Sequence, residues 1–147
     1  WGIAAGIALV ATAAVAWPLL VPEHDAAAPP KAGAAGDWID FSPAKVAELT
    51  GAGRPVFVDF TAAWCVTCQV NKRLVLNTAD VRDAFARSNV ALVRADWTRR
   101  DETITRALAA LGRNGVPVYV LYRPGREPLL LPEVLRKDAV LDALAGL

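Results

Sequence analysis

Two hydrophobic patterns alternate along residues 37–147 and together predict one α/β domain. Short apolar runs bounded by turn residues are typical of buried strands, and they occupy 38–41, 55–60, 90–96, 117–122 and 128–131. Apolar residues at helical spacing, together with local start and stop signals, predict helices over 43–50, 65–76, 79–87, 101–111 and 133–145. Strand–helix–strand crossovers join parallel strands. We therefore expect a central mixed sheet with parallel pairs, one antiparallel hairpin at its edge and helices on both faces.

Local signals support the ends of several of these elements. Ser42 is a hydroxyl N-cap followed by Pro at the first helical position, and glycines at 51 and 53 end that helix. The pair Asn77-Thr78 predicts a break between the second and third helices. In the last helix, apolar residues fall near one face, namely Val134, Leu141 and Leu144.

Residues 1–22 follow a different pattern and predict a transmembrane helix. Seventeen of the 22 are apolar, and none is charged. As a helix of ~1.5 Å per residue the run would be about 33 Å long, enough for a bilayer core of about 30 Å. Trp1 and Trp17 lie near its ends, where interfacial aromatics are common. A signal peptide is one alternative, although the basic n-region is missing and the apolar stretch is long; a buried helix of a soluble protein is another.

Residues 23–36 predict a flexible linker, because they are rich in Pro, Ala and Gly and have no apolar periodicity. The first Lys or Arg after the apolar run is Lys31, and so few of these residues on this flank favour a non-cytoplasmic side. We expect His24, the only His, to be a solvated linker residue. The sequence contains no Met, so we expect it to be a piece of a longer chain, with residues 1–22 as the last helix of a membrane domain.

Composition excludes several kinds of site and partner. The net charge is +1, which removes the electrostatic argument for nucleic acid or a strongly acidic partner. Two cysteines rule out a disulfide-stapled scaffold and a four-thiolate zinc site. Covalent haem attachment requires a His at the position of Gln69, directly after the second Cys. A copper site is also unsupported, because the chain has one His and no Met to act as ligands. We expect no metal and no cofactor beyond a redox-active disulfide.

The only two cysteines, Cys65 and Cys68, form a Cys-x-x-Cys pair that opens a helix directly after a buried strand. The partial positive charge at a helix N-terminus stabilises a thiolate at the first Cys. The second Cys, one turn on, is close enough to close a disulfide. Thiol–disulfide exchange needs such a nucleophile and such a resolving thiol. A structural disulfide would constrain the unfolded chain little over so short a loop.

Asp59 and Pro117 are two further candidate site residues. Asp59 interrupts an apolar strand six residues before Cys65, where desolvation would raise its pKa. A buried carboxyl there could exchange a proton with Cys68 during turnover, whereas the alternative is a structural Asp satisfied by Lys or Arg. Pro117 follows Val116 at the entrance to a strand. A cis bond is possible there, but the residues alone favour a trans Pro that starts the strand.

Taken together, these residues resemble a known family. The segments VDFTAAWCVTCQVNK, RADWT and GRNGVPVYVLY, with a Pro-Gly turn and LPE, are similar to the C-terminal thioredoxin-like domain of DsbD, a bacterial thiol:disulfide interchange protein of the inner membrane. Related copper-sensitivity suppressor proteins carry a similar domain. The resemblance covers residues 38–147, and it implies a thioredoxin-like fold in the periplasm.

The resemblance also implies an electron relay. A membrane domain would pass electrons from cytoplasmic thioredoxin to Cys65 and Cys68. These cysteines would reduce another periplasmic domain, in DsbD the N-terminal one, and the downstream targets would be disulfide isomerases and cytochrome c maturation thiol proteins. By position, Cys65 would attack, Cys68 would resolve and Asp59 would be the buried acid. Pro117 would be a cis proline facing the dithiol, with Val116 before it offering backbone groups to substrate, and Trp64 would shape the docking surface.

One residue departs from this pattern. Many DsbD domains have an acid four residues after the second Cys, where this chain has Lys72. A cation one turn from Cys68 would favour a thiolate, so we expect Lys72 to tune a thiol pKa differently from that acid.

The leading hypothesis is a membrane-anchored protein-disulfide reductase. A thiol oxidase or isomerase of the same fold remains open, because the Val66-Thr67 pair does not settle the direction of electron flow. A non-catalytic binding module is the alternative from another class, although both cysteines near Asp59 argue against it. A cytosolic thioredoxin remains possible if residues 1–22 do not span a membrane.

Overall fold

A computed structural model describes residues 38–147 of the chain. The predicted transmembrane helix and linker, residues 1–22 and 23–36, lie outside the described residues. Among the helices of the described part, none has both the length and the hydropathy that crossing a bilayer requires.

The described residues form a five-stranded mixed sheet with helices on both faces, as the sequence predicts. The strands are β1 (Ile39–Asp40), β2 (Val56–Thr61), β3 (Ala91–Asp96), β4 (Val118–Tyr122) and β5 (Leu129–Leu131). The helices are α1 (Pro43–Gly51), α2 (Val66–Asn71), α3 (Ala79–Arg87), α4 (Glu102–Ala110) and α5 (Lys137–Ala145). Between α2 and α3, a π-helical turn (Lys72–Leu76) continues the second helix to its predicted end.

The strand order is β1-β3-β2-β4-β5, which places β2 at the centre of the sheet. All six residues of β2 are buried, which confirms the predicted strand buried on both faces. Its Val56, Val58 and Phe60 face α1 and α4, whereas Phe57 packs with α3 and α5 on the opposite face. This double burial holds the end of β2, from which the Cys-x-x-Cys segment leaves, in a fixed place.

One prediction about the sheet is wrong. Strands β1–β3 and β2–β3 are parallel, as expected for strand–helix–strand crossovers, but β4 runs antiparallel to β2. Helix α4 therefore does not make a parallel crossover. The loop 111–117 returns the chain to the sheet at the C-terminal end of β2, where Val118 pairs with Phe60. Hydrophobic periodicity carries no information on strand direction, so the pattern alone could not reveal this.

The last helix begins later than predicted, at Lys137 rather than 133. The buried side chain of Asn71 pairs with the Glu133 carbonyl and the Leu135 N–H, and these bonds hold 133–135 outside the helix. Val134 is therefore exposed and does not join the apolar face on which Val140 and Leu144 are buried. Long-range polar contacts have overridden a local helical pattern here.

Candidate active site

A Cys65–Cys68 disulfide lies at the start of α2, and Cys65 follows Thr61, the last residue of β2, by four positions. Cys65 is the N-cap residue of α2, and its Sγ accepts a hydrogen bond of 3.1 Å from the Cys68 backbone N–H. Cys68 is fully buried, whereas Cys65 keeps 7% of its surface exposed. A helix N–H directed at Sγ favours the thiolate form of Cys65 over the thiol. The two cysteines therefore differ in exposure and in their hydrogen bonding to the helix.

Asp59 is fully buried in the middle of β2, between two cations. Its Oδ2 lies 3.9 Å from Lys72 Nζ and 3.6 Å from Arg94 Nε, both beyond hydrogen-bond distance. Neither carboxylate oxygen has a hydrogen-bond partner among the described residues. Burial raises the pKa of Asp59 above its ordinary value, and the charges of Lys72 and then Arg94 oppose that rise. The carboxyl therefore holds a proton more readily than a solvent-exposed Asp does.

Lys72 joins the dithiol helix to this acid. Its backbone N–H donates to the Cys68 carbonyl, and its side chain extends to Asp59. Burial lowers the pKa of Lys72, and the nearby Asp59 charge opposes that change. The sequence predicts an effect of Lys72 on a cysteine thiol, whereas the structure places its ammonium group on the buried carboxyl.

Val116 and Pro117 lie at the same end of the sheet as the dithiol. Val116 packs against the buried cluster of Ala62, Cys65 and Cys68. Pro117 is buried, and the bond that joins it to Val116 is cis, as the family resemblance implies and contrary to the trans form that the residues alone favour. A polar groove runs beside this pair, and its other lining residues include Arg113 and Glu133, which form an ion pair of 3.7 Å.

Trp64 lies directly before Cys65 and is half-exposed. Its Nε1 donates to the Thr98 carbonyl at 3.1 Å, and its ring lies 6.2 Å from that of Trp97. The Thr98 hydroxyl accepts from the Ala63 N–H at 2.8 Å and donates to Asp96. Residues 96–98 thus fix the loop before Cys65, and the ring of Trp64 is held beside the disulfide.

Sequence reasoning missed Arg94 and Trp38 as neighbours of the site. Arg94 is in register with Asp59 across the parallel pair β2–β3, and its guanidinium lies 4.2 Å from the centre of the Trp38 ring. Arg94 interrupts an apolar strand just as Asp59 does, and this was a signal that could have paired them. Trp38 gives no such signal, because its contact with Arg94 depends on the pairing of β1 with β3.

Asn71 is a second residue that the sequence did not indicate. It is buried at the end of α2, and its Nδ2 donates to the Tyr119 hydroxyl at 3.0 Å and to the Glu133 carbonyl at 2.7 Å. Its Oδ1 accepts from the Leu135 N–H at 3.3 Å. Asn71 therefore ties the dithiol helix to β4 and to the segment before α5.

No group of three or more His, Cys, Asp and Glu side chains within residues 38–147 is arranged to hold a metal ion. The chemistry that the described side chains offer is that of a dithiol, with a buried acid on the strand that precedes it.

Comparisons with known proteins identify the family to which the chain belongs. A family model described as Thioredoxin-like matches residues 37–124. The thiol:disulfide interchange protein DsbD of Ralstonia nicotianae is 47% identical over 53 residues, which are 36% of this chain and 8% of that protein. DsbD 1 of Pseudomonas aeruginosa is 30% identical over 95 residues, which are 61% of this chain and 16% of that protein. The chain thus spans a small part of the curated relatives that it matches.

Solved structures show the same fold. The C-terminal domain of Neisseria meningitidis DsbD in its reduced form has a TM-score of 0.59 and 19% identity, covering 74% of this chain and 98% of that one. A thioredoxin from Thermus thermophilus has a TM-score of 0.58 and 18% identity, and the match covers 74% of this chain and 85% of that one.

Proposed function

Because the chain belongs to the thioredoxin-like family and carries a DsbD-type domain with a Cys-x-x-Cys disulfide, we propose that this domain passes electron pairs to the disulfides of other proteins. The predicted resemblance to the thioredoxin-like domain of DsbD is confirmed, and so is the predicted enzyme class, a thiol:disulfide oxidoreductase. The observation that carries the proposal is the Cys65–Cys68 disulfide at the start of a helix, after a strand that contains the buried Asp59, within a sequence similar to those of DsbD proteins.

The reaction begins with the reduced pair. The Cys65 thiolate attacks one sulfur of the partner disulfide, so that a mixed disulfide forms and the other partner sulfur leaves as a thiolate that takes a proton. Cys68 then loses its proton and attacks Cys65 Sγ. The Cys65–Cys68 disulfide forms, and the second partner sulfur leaves. Two electrons have moved to the partner, and the Cys65–Cys68 pair is the sole redox group in this scheme.

Asp59 is the proposed proton acceptor for Cys68. A carboxyl whose pKa is raised by burial is a better base toward a thiol than an ordinary Asp. Lys72 and Arg94 oppose that rise, and thereby keep the carboxyl ionised at a lower pH than burial alone would allow. Lys72 therefore tunes the acid in this proposal, and its effect on the thiol is indirect.

Partner contact is assigned to Trp64, Val116 and Pro117. Trp64 is half-exposed directly before Cys65, and Val116 packs against the cluster that contains both cysteines. A partner that reaches Cys65 would therefore meet these side chains.

We further propose that the domain works in the periplasm at the bacterial inner membrane and that a membrane domain supplies its electrons. The uncharged apolar pattern of residues 1–22 supports a membrane anchor, and the similarity to DsbD proteins supports the relay. The periplasmic targets would be thiol–disulfide proteins, including those of cytochrome c maturation.

Trapping experiments test the assignment of the two cysteines. With a disulfide-bearing protein substrate, Cys68→Ala is expected to accumulate a mixed disulfide through Cys65, whereas Cys65→Ala is not. Trapping through Cys68 would overturn the assignment. A reduction potential near that of thioredoxin, about −270 mV, is expected for a reductase, and one far above it would favour an oxidase instead.

A further inference from the structure

Three exposed apolar side chains form a stripe that starts beside the disulfide. Val66, Val70 and Leu74 are spaced by four residues, and they are 76%, 47% and 60% exposed. Val66 and Val70 share one face of α2 because they are four residues apart, and Leu74 of the π-helical turn lines the same groove as both of them. We call these three side chains the apolar stripe.

A shallow groove follows this stripe. It has a volume of about 300 Å³, and its lining residues are Ala63, Val66, Gln69, Val70, Arg73 and Leu74. Arg73 is the one charged residue among them. No carboxylate within residues 38–147 forms an ion pair with it.

A second cation lies against Trp64, the residue before Cys65. The Arg100 guanidinium is 5.3 Å from the centre of the Trp64 ring and 4.8 Å from that of Trp97. Arg100 also has no ion-pair partner among the described residues. Cys65 is therefore preceded in the chain by Trp64 and followed by the apolar stripe, and beside each of these apolar surfaces lies an Arg without an ion-pair partner among the described residues.

The chemistry of exchange requires a partner to cover this surface. Cys65 is only 7% exposed, and the attacking and attacked sulfurs have to touch. A protein that reaches Cys65 Sγ must therefore lie against Val66 and Trp64, its neighbours in the chain. Further contact along the stripe removes apolar surface from water, which is favourable, and acidic groups on the partner would meet Arg73 and Arg100.

We propose that the apolar stripe and Trp64, with Arg73 and Arg100 at their edges, form the docking surface for a redox partner whose reactive cystine lies in an apolar segment flanked by acidic residues. The inference rests on the proposed function and specifies the partner's chemistry. A net charge of +1 gives no such indication, because it averages over the local placement of the two arginines.

Synthetic cystine peptides test this proposal. Three peptides share one apolar sequence around the disulfide and differ in flanking Glu, Gln or Lys residues, and the reduced full chain reduces each of them. We expect the Glu peptide to react about tenfold faster than the Lys peptide at low ionic strength, with the preference falling in high salt. The double variant Arg73→Gln/Arg100→Gln is expected to lose the preference, whereas Arg87→Gln, an exposed Arg on α3, retains it.

The apolar part of the surface is tested with Leu74→Ser and Val70→Ser. Each is expected to lower the rate for all three peptides about tenfold relative to the rate for 2-hydroxyethyl disulfide, a small neutral substrate. Leu130→Ser removes an exposed apolar side chain on β5 and is expected to leave that ratio unchanged.

Equal rates for the Glu and Lys peptides would overturn the docking proposal. So would sedimentation equilibrium that shows a dimer in the parent chain and a monomer in Leu74→Ser, because a second copy would then occupy the stripe. If 2-hydroxyethyl disulfide is not reduced at all, it is the proposed function that fails. The two failures are therefore distinguishable.

Discussion

Lys72 and Asp59 form an ion pair that connects the helix of the dithiol to the central strand, with Nζ and Oδ2 3.9 Å apart. Lys72 is one turn after Cys68, while Asp59 is fully buried in β2. A cation at this distance from a buried carboxylate without hydrogen-bond partners favours its ionised form, as does Arg94 on β3. The reactivity of the buried acid is therefore set in part by a residue on the same helix as the thiol that it is proposed to deprotonate.

Asp59→Asn is expected to slow the release of reduced partner from the mixed disulfide by about 10²-fold at pH 7, because the proton acceptor for Cys68 is lost. Stopped-flow measurement of partner release checks this. Release at the parental rate would show that Asp59 does not take the proton.

The same substitution is expected to change how the free energy of unfolding depends on pH. Because burial raises the pKa of Asp59, the folded protein binds this proton more tightly than the unfolded chain does. Stability is thus lost as the pH rises from the ordinary Asp value of 3.8 through the raised value. Asp59→Asn is expected to be more stable than the parent at pH 8 in urea unfolding, and this gain should shrink toward pH 3.5. A variant less stable than the parent at pH 8 would contradict the assignment.

The rate of partner release is expected to fall at low pH, where Asp59 is protonated. In Lys72→Met this fall, the acid limb of the pH profile, is expected to move to higher pH, because the pKa of Asp59 rises further without the ammonium group. Lys72→Arg keeps the charge and should stay close to the parent. The shift should vanish when Lys72→Met is combined with Asp59→Asn. A shift that persists in the double variant would mean that Lys72 acts directly on a thiol.

Trp38 is expected to matter through Arg94. Its ring lies against the guanidinium that faces Asp59, and it also packs edge-on against Phe57. Trp38→Ala should cost on the order of 1–2 kcal/mol of unfolding free energy and should move the acid limb to higher pH, as Arg94 is no longer held beside the acid. Trp38→Tyr retains an aromatic face and should restore most of the parental pH profile. Identical pH profiles for the parent and Trp38→Ala would show that the ring does not position Arg94.

Asn71→Ala is expected to destabilise the domain by about 2–4 kcal/mol, because the Glu133 carbonyl and the buried Leu135 N–H lose their partner. Urea unfolding measures the loss. Asn77→Ala, which changes an exposed Asn at the end of the π-helical turn, is the matched control and should cost less than about 0.5 kcal/mol. Equal losses in the two variants would show that the buried hydrogen bonds are not what stabilises this segment.

The sequence by itself determined the features that depend on neighbouring residues. The apolar run 55–60 became β2, Ser42 and Pro43 start α1, and the Cys-x-x-Cys pair opens α2. Burial of a strand, capping of a helix and closure of a four-residue disulfide are all governed by residues a few positions apart. For the same reason, the spacing of the two cysteines after a buried strand is enough to identify the dithiol as the candidate site.

Only the tertiary structure decided which distant groups meet. The antiparallel direction of β4 brings Val116, just before that strand, to the disulfide, and the tertiary fold places Lys72 of the π-helical turn beside Asp59 of β2. Hydrophobic periodicity is the same for a strand in either direction. The direction of a long polar side chain depends on the neighbours that the fold provides, so a local pattern determines neither strand direction nor ion-pair partner.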